Sequence, residues 1–406
     1  MSTNTTISKR LELFHKIHPV FAGFTSDLIF YIAINTVFMT LVKGLSVEEY
    51  ASLATISPFV CLASITFLYK VIVYLGTTKS IRLGAILMLL ANLLLTFSNH
   101  YLFFVLAMML LEISFIFNTM GSVALKNNLL YQHRGEDYLL CKRKESLFYS
   151  ISTAIIALVS GFLFQVNPYL PMYLGIVVNV IAVILSFFIF DVLEVENVKH
   201  LESIQVPHKI PIKTILLCLF LSYAILYGSV NLFQNNAKLI IQETLLPKIT
   251  PEEIAMFISF IVFISRLVRV FTMAMFKKCY QYIGKNVLLF LSIFALLAPT
   301  CILLGFYLPI HWQLKVLLMC LGFFLVLGVR EPFNILIQDL ALEQSTIEEE
   351  KRVVLNLALA RKIGGTIVGM LISLLLFGFP LIVVFMLFFI LFGLNFLIDT
   401  YILKKI

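Results

Sequence analysis

Residues 250–255 of the chain read Thr-Pro-Glu-Glu-Ile-Ala, and residues 46–51 carry the same pattern, Ser-Val-Glu-Glu-Tyr-Ala, 204 residues earlier. In each hexapeptide a hydroxyl residue precedes a glutamate by three positions. This is the capping box, which satisfies free backbone N–H groups at the start of a helix. Each hexapeptide also opens a long apolar run. The two copies therefore predict equivalent helices in two repeats of one structural unit.

The composition defines the solvent of those helices. Of the 406 residues, 61% are hydrophobic and 13% charged, and the mean hydropathy is +1.00. Soluble domains average about 25% charged residues, so a water-soluble globular protein is excluded. The net charge of +8 reflects membrane topology rather than a nucleic-acid partner.

Apolar runs long enough to cross a bilayer recur along the whole chain, because each crossing needs about 20 mostly apolar residues. They predict an all-α polytopic membrane protein with twelve transmembrane helices, near residues 19–42, 47–69, 81–98, 101–125, 146–166, 169–190, 213–236, 251–276, 286–307, 312–337, 353–378 and 380–402. With both termini cytoplasmic, 21 of the 30 Lys and Arg residues fall on the cytoplasmic side. The positive-inside rule favours that orientation.

The predicted helices form two six-helix bundles separated by the longest polar break in the chain. We therefore expect five segments, namely a cytoplasmic N-terminal tail (1–18), an N-terminal six-helix bundle (19–190), a central cytoplasmic linker (191–212), a C-terminal six-helix bundle (213–402) and a cytoplasmic C-terminal tail (403–406).

A basic glycine turn follows the second helix of each predicted half. Gly76 and Lys79 mark it in the first half, and Gly284 and Lys285 mark it in the second. The matching position supports an internal repeat.

Two six-helix halves, a central linker and these turns resemble the major facilitator superfamily of secondary transporters. The stretch from residue 69 to 79 keeps Gly76 and Lys79 of the superfamily's motif, but Tyr69 and Val73 replace its first glycine and its acid. The resemblance implies alternating access, with a midplane cavity lined by helices 1, 4, 7 and 10. It also implies a conformational role for Gly76, Lys79, Gly284 and Lys285.

Two acids in the first half are candidates for proton coupling. Asp27 begins a polar stripe that continues with Tyr31 and Asn35 at four-residue spacing, which is one face of a helix. Glu112 is isolated near the middle of the fourth predicted helix, where an ionised carboxylate is costly. The alternatives are that Asp27 complements a helix end and that Glu112 is neutral and hydrogen-bonded to another helix.

The seventh predicted helix carries a longer polar stripe, formed by Tyr223, Tyr227, Asn231 and Asn235. Such a stripe is expensive against lipid, so we interpret it as the lining of a substrate cavity. The alternative is hydrogen bonding between helices. Tyr31 and Asn35 would line the same cavity from the first helix.

Charged residues in the later helices suggest further contacts. Arg266 lies deep in the eighth span and needs either a carboxylate partner or an anionic substrate. Arg330, Glu331 and Pro332 form a possible gate near the end of the tenth span, unless they simply meet water there. For Arg361 the preferred interpretation is that its side chain extends to the cytoplasmic surface.

The sequence therefore predicts a proton-coupled secondary transporter of a bacterial cytoplasmic membrane that exports an amphipathic small molecule by antiport. Uptake of a small nutrient by symport and lipid flipping use the same parts and stay open. The expected partners are a small-molecule or lipid substrate, protons and membrane lipids, with the chain as a monomer. We expect no catalytic residues, metal site, cofactor or nucleic-acid partner.

Overall fold

The structure is a computed structural model, and it describes residues 2–134, 137–195, 214–344 and 350–405. Within these ranges all regular secondary structure is helical. The α-helices are, in chain order, α1 (Ser2–Thr25), α2 (Tyr31–Val37), α3 (Val47–Leu75), α4 (Thr77–Phe97), α5 (Tyr101–Asn118), α6 (Met120–Tyr131), α7 (Tyr138–Val166), α8 (Leu170–Ser186), α9 (Val192–Val195), α10 (Thr214–Leu245), α11 (Pro251–Ile283), α12 (Val287–Tyr307), α13 (Trp312–Glu343), α14 (Glu350–Leu376) and α15 (Ile382–Lys405).

Helices occupy every stretch in which the hydropathy predicted a span. Among the described residues, eight helical stretches are long and apolar enough to cross a membrane, and one of them, Pro251–Tyr307, covers both α11 and α12. Two shorter apolar helices are Tyr31–Val42 and Leu170–Ser186. The chain is therefore a multi-pass membrane protein. Twelve crossings and cytoplasmic termini stay predictions.

Two compact units divide the fold. Of the described residues, the first contains 2–35, 63–134 and 137–195, where α4 packs against α5 and α8, and α1 packs against α7. The second contains 36–62, 214–344 and 350–405, where α10 packs against α13, α14 and α15. Residues 36–62 thus pack with the later helices, although the sequence analysis placed them in the N-terminal bundle. Most of the predicted linker, residues 196–212, lies outside the described residues.

The predicted N-terminal tail is a packed helix in the structure. Helix α1 starts at Ser2, and its residues Leu11, Phe14 and Phe21 are buried in a hydrophobic core of the first unit. His18 on the same helix is also buried, and its Nε2 lies 3.0 Å from the carbonyl oxygen of Gly121. Apolar residues at three- to four-residue spacing explain the difference, since they give the segment a face to bury.

The first predicted span is broken, so the prediction of one continuous polar stripe from Asp27 to Asn35 is wrong. Residues 26–30 separate α1 from α2, and a π-helical segment, Phe38–Val42, follows α2. At the break, Oδ1 of Asp27 accepts a hydrogen bond from the backbone N–H of Leu28 at 2.9 Å. Short polar side chains compete in this way with helical hydrogen bonds.

Both predicted capping boxes are confirmed. The backbone N–H of Ser46 donates to Oε2 of Glu49 at 2.9 Å, and the N–H of Glu49 donates back to the Ser46 hydroxyl at 3.2 Å. Thr250 and Glu253 form the same pair of bonds at 2.9 and 3.4 Å. The repeated hexapeptide therefore starts α3 and α11 by one mechanism.

The first glycine turn is closed by a carboxylate from much later in the chain. Gly76 has φ of +79° and precedes α4. Glu194 accepts hydrogen bonds from the backbone N–H groups of Thr77 and Thr78, the latter at 3.0 Å. A carboxylate at this position complements both the free N–H groups and the positive end of the helix dipole. Lys79 is exposed one residue further on.

The second glycine turn has a different partner. Gly284 has φ of +64° and ends α11. Its neighbour Lys285 forms an ion pair with Glu343 at the end of α13, with 2.7 Å between Nζ and Oε2. The conformational role expected for Gly76, Lys79, Gly284 and Lys285 stays a prediction.

Candidate functional site in the second unit

Small residues bring α10 and α14 into backbone contact. A Cβ atom on Gly228 would lie 2.7 Å from the carbonyl oxygen of Arg361 and 3.0 Å from the backbone nitrogen of Gly365. A Cβ atom on Gly364 would collide with the carbonyl group of Ala224. Ala224 and Gly228 thus form a small-xxx-small motif, which lets membrane helices approach closely. This crossing brings the side chains beside it together.

Two tyrosines and two arginines meet next to the crossing. The rings of Tyr223 and Tyr227 are stacked, with 4.9 Å between centroids and an interplanar angle of 17°. The guanidinium carbon of Arg361 lies 4.9 Å from the Tyr227 centroid, and that of Arg330 lies 5.7 Å away. Both distances are within the range of cation–π attraction. The side chain of Arg361 therefore packs on Tyr227, contrary to the expected extension to the surface.

Amide groups of α13 hold the tyrosine pair in place. The Tyr223 hydroxyl donates to Oδ1 of Asn334 at 2.6 Å, and Nε2 of Gln338 donates to the same oxygen at 2.9 Å. Tyr223 is buried, so this bond satisfies a phenol that would otherwise be costly among apolar side chains. Asn334 and Gln338 thus fix the orientation of the Tyr223 ring.

Glu331 is shared by two arginines. Its Oε1 lies 2.8 Å from Nη2 of Arg269 on α11 and 3.5 Å from Nε of Arg330. Helix α13 continues through Pro332 to Glu343, so these residues lie inside the helix. They therefore do not lie at a helix end, while the alternative that they meet water at the membrane surface stays a prediction. The predicted pair of Arg330 and Glu331 is present, but Arg269 is the closer partner of the carboxylate.

Arg266 contrasts with these paired arginines. Its side chain is buried, with 8% exposed, and its Nε has no hydrogen-bond partner among the described residues. On the same helix, the buried hydroxyl of Ser259 also lacks a partner within the described part of the chain. Ser259 was not a sequence candidate.

The remaining predicted residues are distributed over α10 and the first unit. Asn231 is exposed on α10, and Asn235 is partly buried one turn further on. In the first unit, Tyr31 and Asn35 lie on α2, while Asp27 lies at the break before it. Glu112 is buried on α5, with 7% exposed. The roles predicted for all of them stay predictions.

A buried acid in α15 was missed by the sequence analysis. Asp399 is fully buried and accepts hydrogen bonds from Ser222 (2.6 Å), Ser292 (2.5 Å) and Asn395 (2.7 Å). The three donors belong to α10, α12 and α15, so the carboxylate connects three helices. An Asn and an Asp four residues apart in the last apolar run were the available signal.

Among the described residues, no group of three or more His, Cys, Asp and Glu side chains is arranged to hold a metal ion. The cluster around Tyr227 instead offers aromatic faces, guanidinium groups and amides, which bind organic molecules by stacking and hydrogen bonding.

Comparison with known proteins identifies the fold. No protein-family profile matches the chain, and no curated protein matches it in sequence. Solved structures match over nearly the full length. The nucleoside transporter NupG has a TM-score of 0.72 and 12% identity, covering 97% of this chain and 98% of its own. A bacterial homologue of the iron transporter ferroportin in an inward-facing state has a TM-score of 0.66 and 13% identity, covering 97% and 98%.

A bacterial metal transporter also matches, with a TM-score of 0.66, 13% identity and coverage of 98% of both chains. At such identities the likeness concerns the fold alone. The protein has the fold of these membrane transporters, and the resemblance to the major facilitator superfamily is confirmed at that level.

Proposed function

We propose that this protein is a secondary active transporter that exports an amphipathic small molecule across a bacterial cytoplasmic membrane in exchange for protons. Alternating access would carry the substrate past the candidate site of the second unit. The proposal is supported by the apolar helices and by the fold shared with NupG and the ferroportin homologue. It treats the chain as a transporter and not as an enzyme.

The observation that carries the proposal is the cluster around Tyr227. Helices α10, α13 and α14 bring a stacked tyrosine pair, two guanidinium groups and two amides together among apolar helices. Polar and ionisable groups destabilise membrane helices, so their presence in a membrane span indicates a functional site. An amphipathic molecule with a planar ring fits these groups better than a bare metal ion, because guanidinium groups are cations without a lone pair to donate and aromatic faces suit stacking.

Proton coupling is assigned to Glu112. It is the buried acid of α5, and its neighbours in sequence are apolar. Protonation removes the cost of a charge in this environment, so binding and release of a proton can bias a conformational equilibrium. Asp27 is the second candidate, since it lies at the break between α1 and α2.

The proposal is tested with purified protein in liposomes that contain a pH-sensitive dye and are held under a pH gradient. Aromatic drugs, nucleosides, sugars and amino acids are added one class at a time. We expect substrate-dependent proton flux, with substrate and protons moving in opposite directions. Flux in the same direction would replace export with uptake by symport. Folded protein without coupled flux for any class, but with accelerated lipid exchange between leaflets, would replace it with a lipid flippase.

A further inference from the structure

Arg266 lies on α11 among mainly apolar residues. The neighbouring arginines Arg269 and Arg330 lie beside the carboxylate of Glu331, whereas Arg266 forms no ion pair in the described part of the chain. Its side chain is more than nine-tenths buried, and its Nε makes no hydrogen bond in the described part of the chain. A buried guanidinium keeps its charge, because arginine is not deprotonated in proteins. It therefore needs an anion.

The carboxylate that pairs with the neighbouring arginine of α11 already has two cationic partners. Glu331 binds Arg269, three residues after Arg266 on α11, and it also lies close to Arg330. The fourth arginine, Arg361, packs on Tyr227. Glu331 thus lies beside two arginines, and Arg266 and Arg361 add two further guanidinium groups on α11 and α14. This excess of positive charge favours an anionic ligand.

A second free donor lies on the same face of α11. Ser259 precedes Arg266 by seven residues, which is about two helical turns. Its hydroxyl is buried, with 1% of the residue exposed, and has no hydrogen-bond partner among the described residues. Helical side chains lean toward the N-terminus of their helix, which is the direction of Ser259 from Arg266. Together they present a guanidinium fork and a hydroxyl, both of which suit the oxygens of a carboxylate or phosphate.

We propose that Arg266, assisted by Ser259, binds the anionic group of the transported molecule, which is a carboxylate or a phosphate. This inference rests on the proposed transport function and narrows the substrate to an organic anion. The same chemistry is offered by a soluble organic anion and by the headgroup of an anionic lipid, and the experiment separates the two.

The first test compares two arginines on one helix in the ligand-free protein. The protein is placed in nanodiscs of neutral phosphatidylcholine, without phosphate in the buffer, and its thermal unfolding is measured. Arg266→Met removes an unpaired buried charge, so its Tm should equal or exceed that of the wild type. Arg269→Met breaks the pair with Glu331, so its Tm should fall by about 2–4 °C or more. An equal fall for both variants would mean that Arg266 is paired within the protein, and the proposal would fail.

The second test adds matched anionic and neutral probes to the same nanodiscs. Benzoate is compared with benzamide, and phenyl phosphate with phenol. At least one anion should raise the wild-type Tm by about 2–4 °C, while its neutral partner should not. Arg266→Met should abolish the shift, and Arg266→Lys should retain part of it. The surface variant Arg134→Gln, which removes a guanidinium that is 58% exposed, should behave like the wild type. Equal shifts in wild type and Arg266→Met, or no wild-type shift with either anion in neutral and in anionic nanodiscs, overturn the proposal.

The source of the anion follows from nanodiscs that also contain phosphatidylglycerol. If the lipid headgroup is the ligand, this lipid alone should raise the Tm of the wild type but not of Arg266→Met, and phenyl phosphate should add nothing. If a soluble anion is the ligand, phosphatidylglycerol should not change the rise in Tm that the anionic probe causes in the wild type. Failure of the transport proposal can be distinguished from failure of the anion site. An anion that binds through Arg266 but is not transported into or out of liposomes contradicts the transport function only. Transport of a neutral substrate that survives Arg266→Met contradicts the anion site only.

Discussion

The two halves of the sequence have the same hydrogen-bonding motifs at their helix ends and different side-chain chemistry in their interiors. Each half has a capping box that begins a long helix (α3 or α11) and a glycine with positive φ directly after that helix. In their interiors, the first unit buries Glu112 on α5, whereas the second gathers Tyr227 with arginines from α13 and α14. Helix ends are constrained by backbone hydrogen bonding, which is the same in any membrane helix.

This comparison indicates that the two repeats share the hydrogen-bonding motifs that define their helices, while the side chains buried between the helices differ. If this is correct, substitutions in the interiors should change transport with little loss of stability. Substitutions at the helix ends should change stability first. Four sets of variants test that division, from the largest expected effect to the smallest.

Glu112→Gln should abolish transport driven by a pH gradient, because a neutral amide cannot load a proton. Exchange of substrate at equal pH should continue, and the Tm should change little. Both rates are measured in liposomes with Glu252→Gln as the control, since Glu252 is exposed in the first turn of α11. Normal substrate accumulation by Glu112→Gln would exclude it as the coupling acid.

Tyr227→Leu should lower the transport rate about tenfold, which corresponds to the loss of about 1.4 kcal/mol of stacking and cation–π attraction. Tyr227→Phe keeps the ring and should retain most of the rate. Tyr282→Leu is the matched control, because Tyr282 is 93% exposed on α11. If Tyr227→Leu transports at the wild-type rate, the cluster around Tyr227 does not lie on the substrate path. That result would also contradict the proposed division of roles between the interiors and the helix ends.

Gly76→Ala should destabilise the protein by about 2 kcal/mol or more, and Gly284→Ala by about 1 kcal/mol. Both glycines have positive φ, but a Cβ on Gly76 would lie 2.6 Å from Oε1 of Glu194, whereas one on Gly284 meets nothing within 4 Å. Chemical unfolding in detergent micelles measures the difference. Equal losses would show that the Glu194 cap contributes nothing to the turn.

Lys285→Gln and Glu343→Gln should each cost at most about 0.5 kcal/mol, because their ion pair is roughly 40% exposed to solvent. A double-mutant cycle isolates the coupling energy, which should shrink when salt is raised. A coupling energy above about 1 kcal/mol at physiological salt would mean that this ion pair stabilises its turn as strongly as we expect Glu194 to stabilise the first glycine turn.

Patterns of local origin were readable from the sequence. The helices, both capping boxes and both glycine turns follow from hydropathy and short-range hydrogen bonding, which depend on neighbouring residues. The break between α1 and α2 at residues 26–30 could not be predicted from the sequence. The apolar run continues across it, and only the side chain of Asp27 indicates it. The helical start at Ser2 was hidden by polar residues that share the segment with Leu11 and Phe14.

The candidate site was predicted in part. Tyr223, Tyr227, Arg330 and Glu331 stood out because polar groups are rare in apolar spans. Arg361 was misplaced, since its position depends on the close crossing of α10 and α14 at Gly228 and Gly364, which is a property of tertiary packing. The same limit applies to the pairing of Arg269 with Glu331, whose residues lie on different helices.

Asp399 has a consequence for the order in which the protein is assembled. Inserted alone, α15 would present this acid to lipid, at a cost of up to about 2.5–3.5 kcal/mol on biological insertion scales. Two of its three donors, Ser222 and Ser292, belong to α10 and α12, which leave the ribosome earlier. Two hydrogen-bond donors of the Asp399 carboxylate are therefore already synthesised when α15 emerges, and docking against α10 and α12 removes the cost of exposing this acid to lipid.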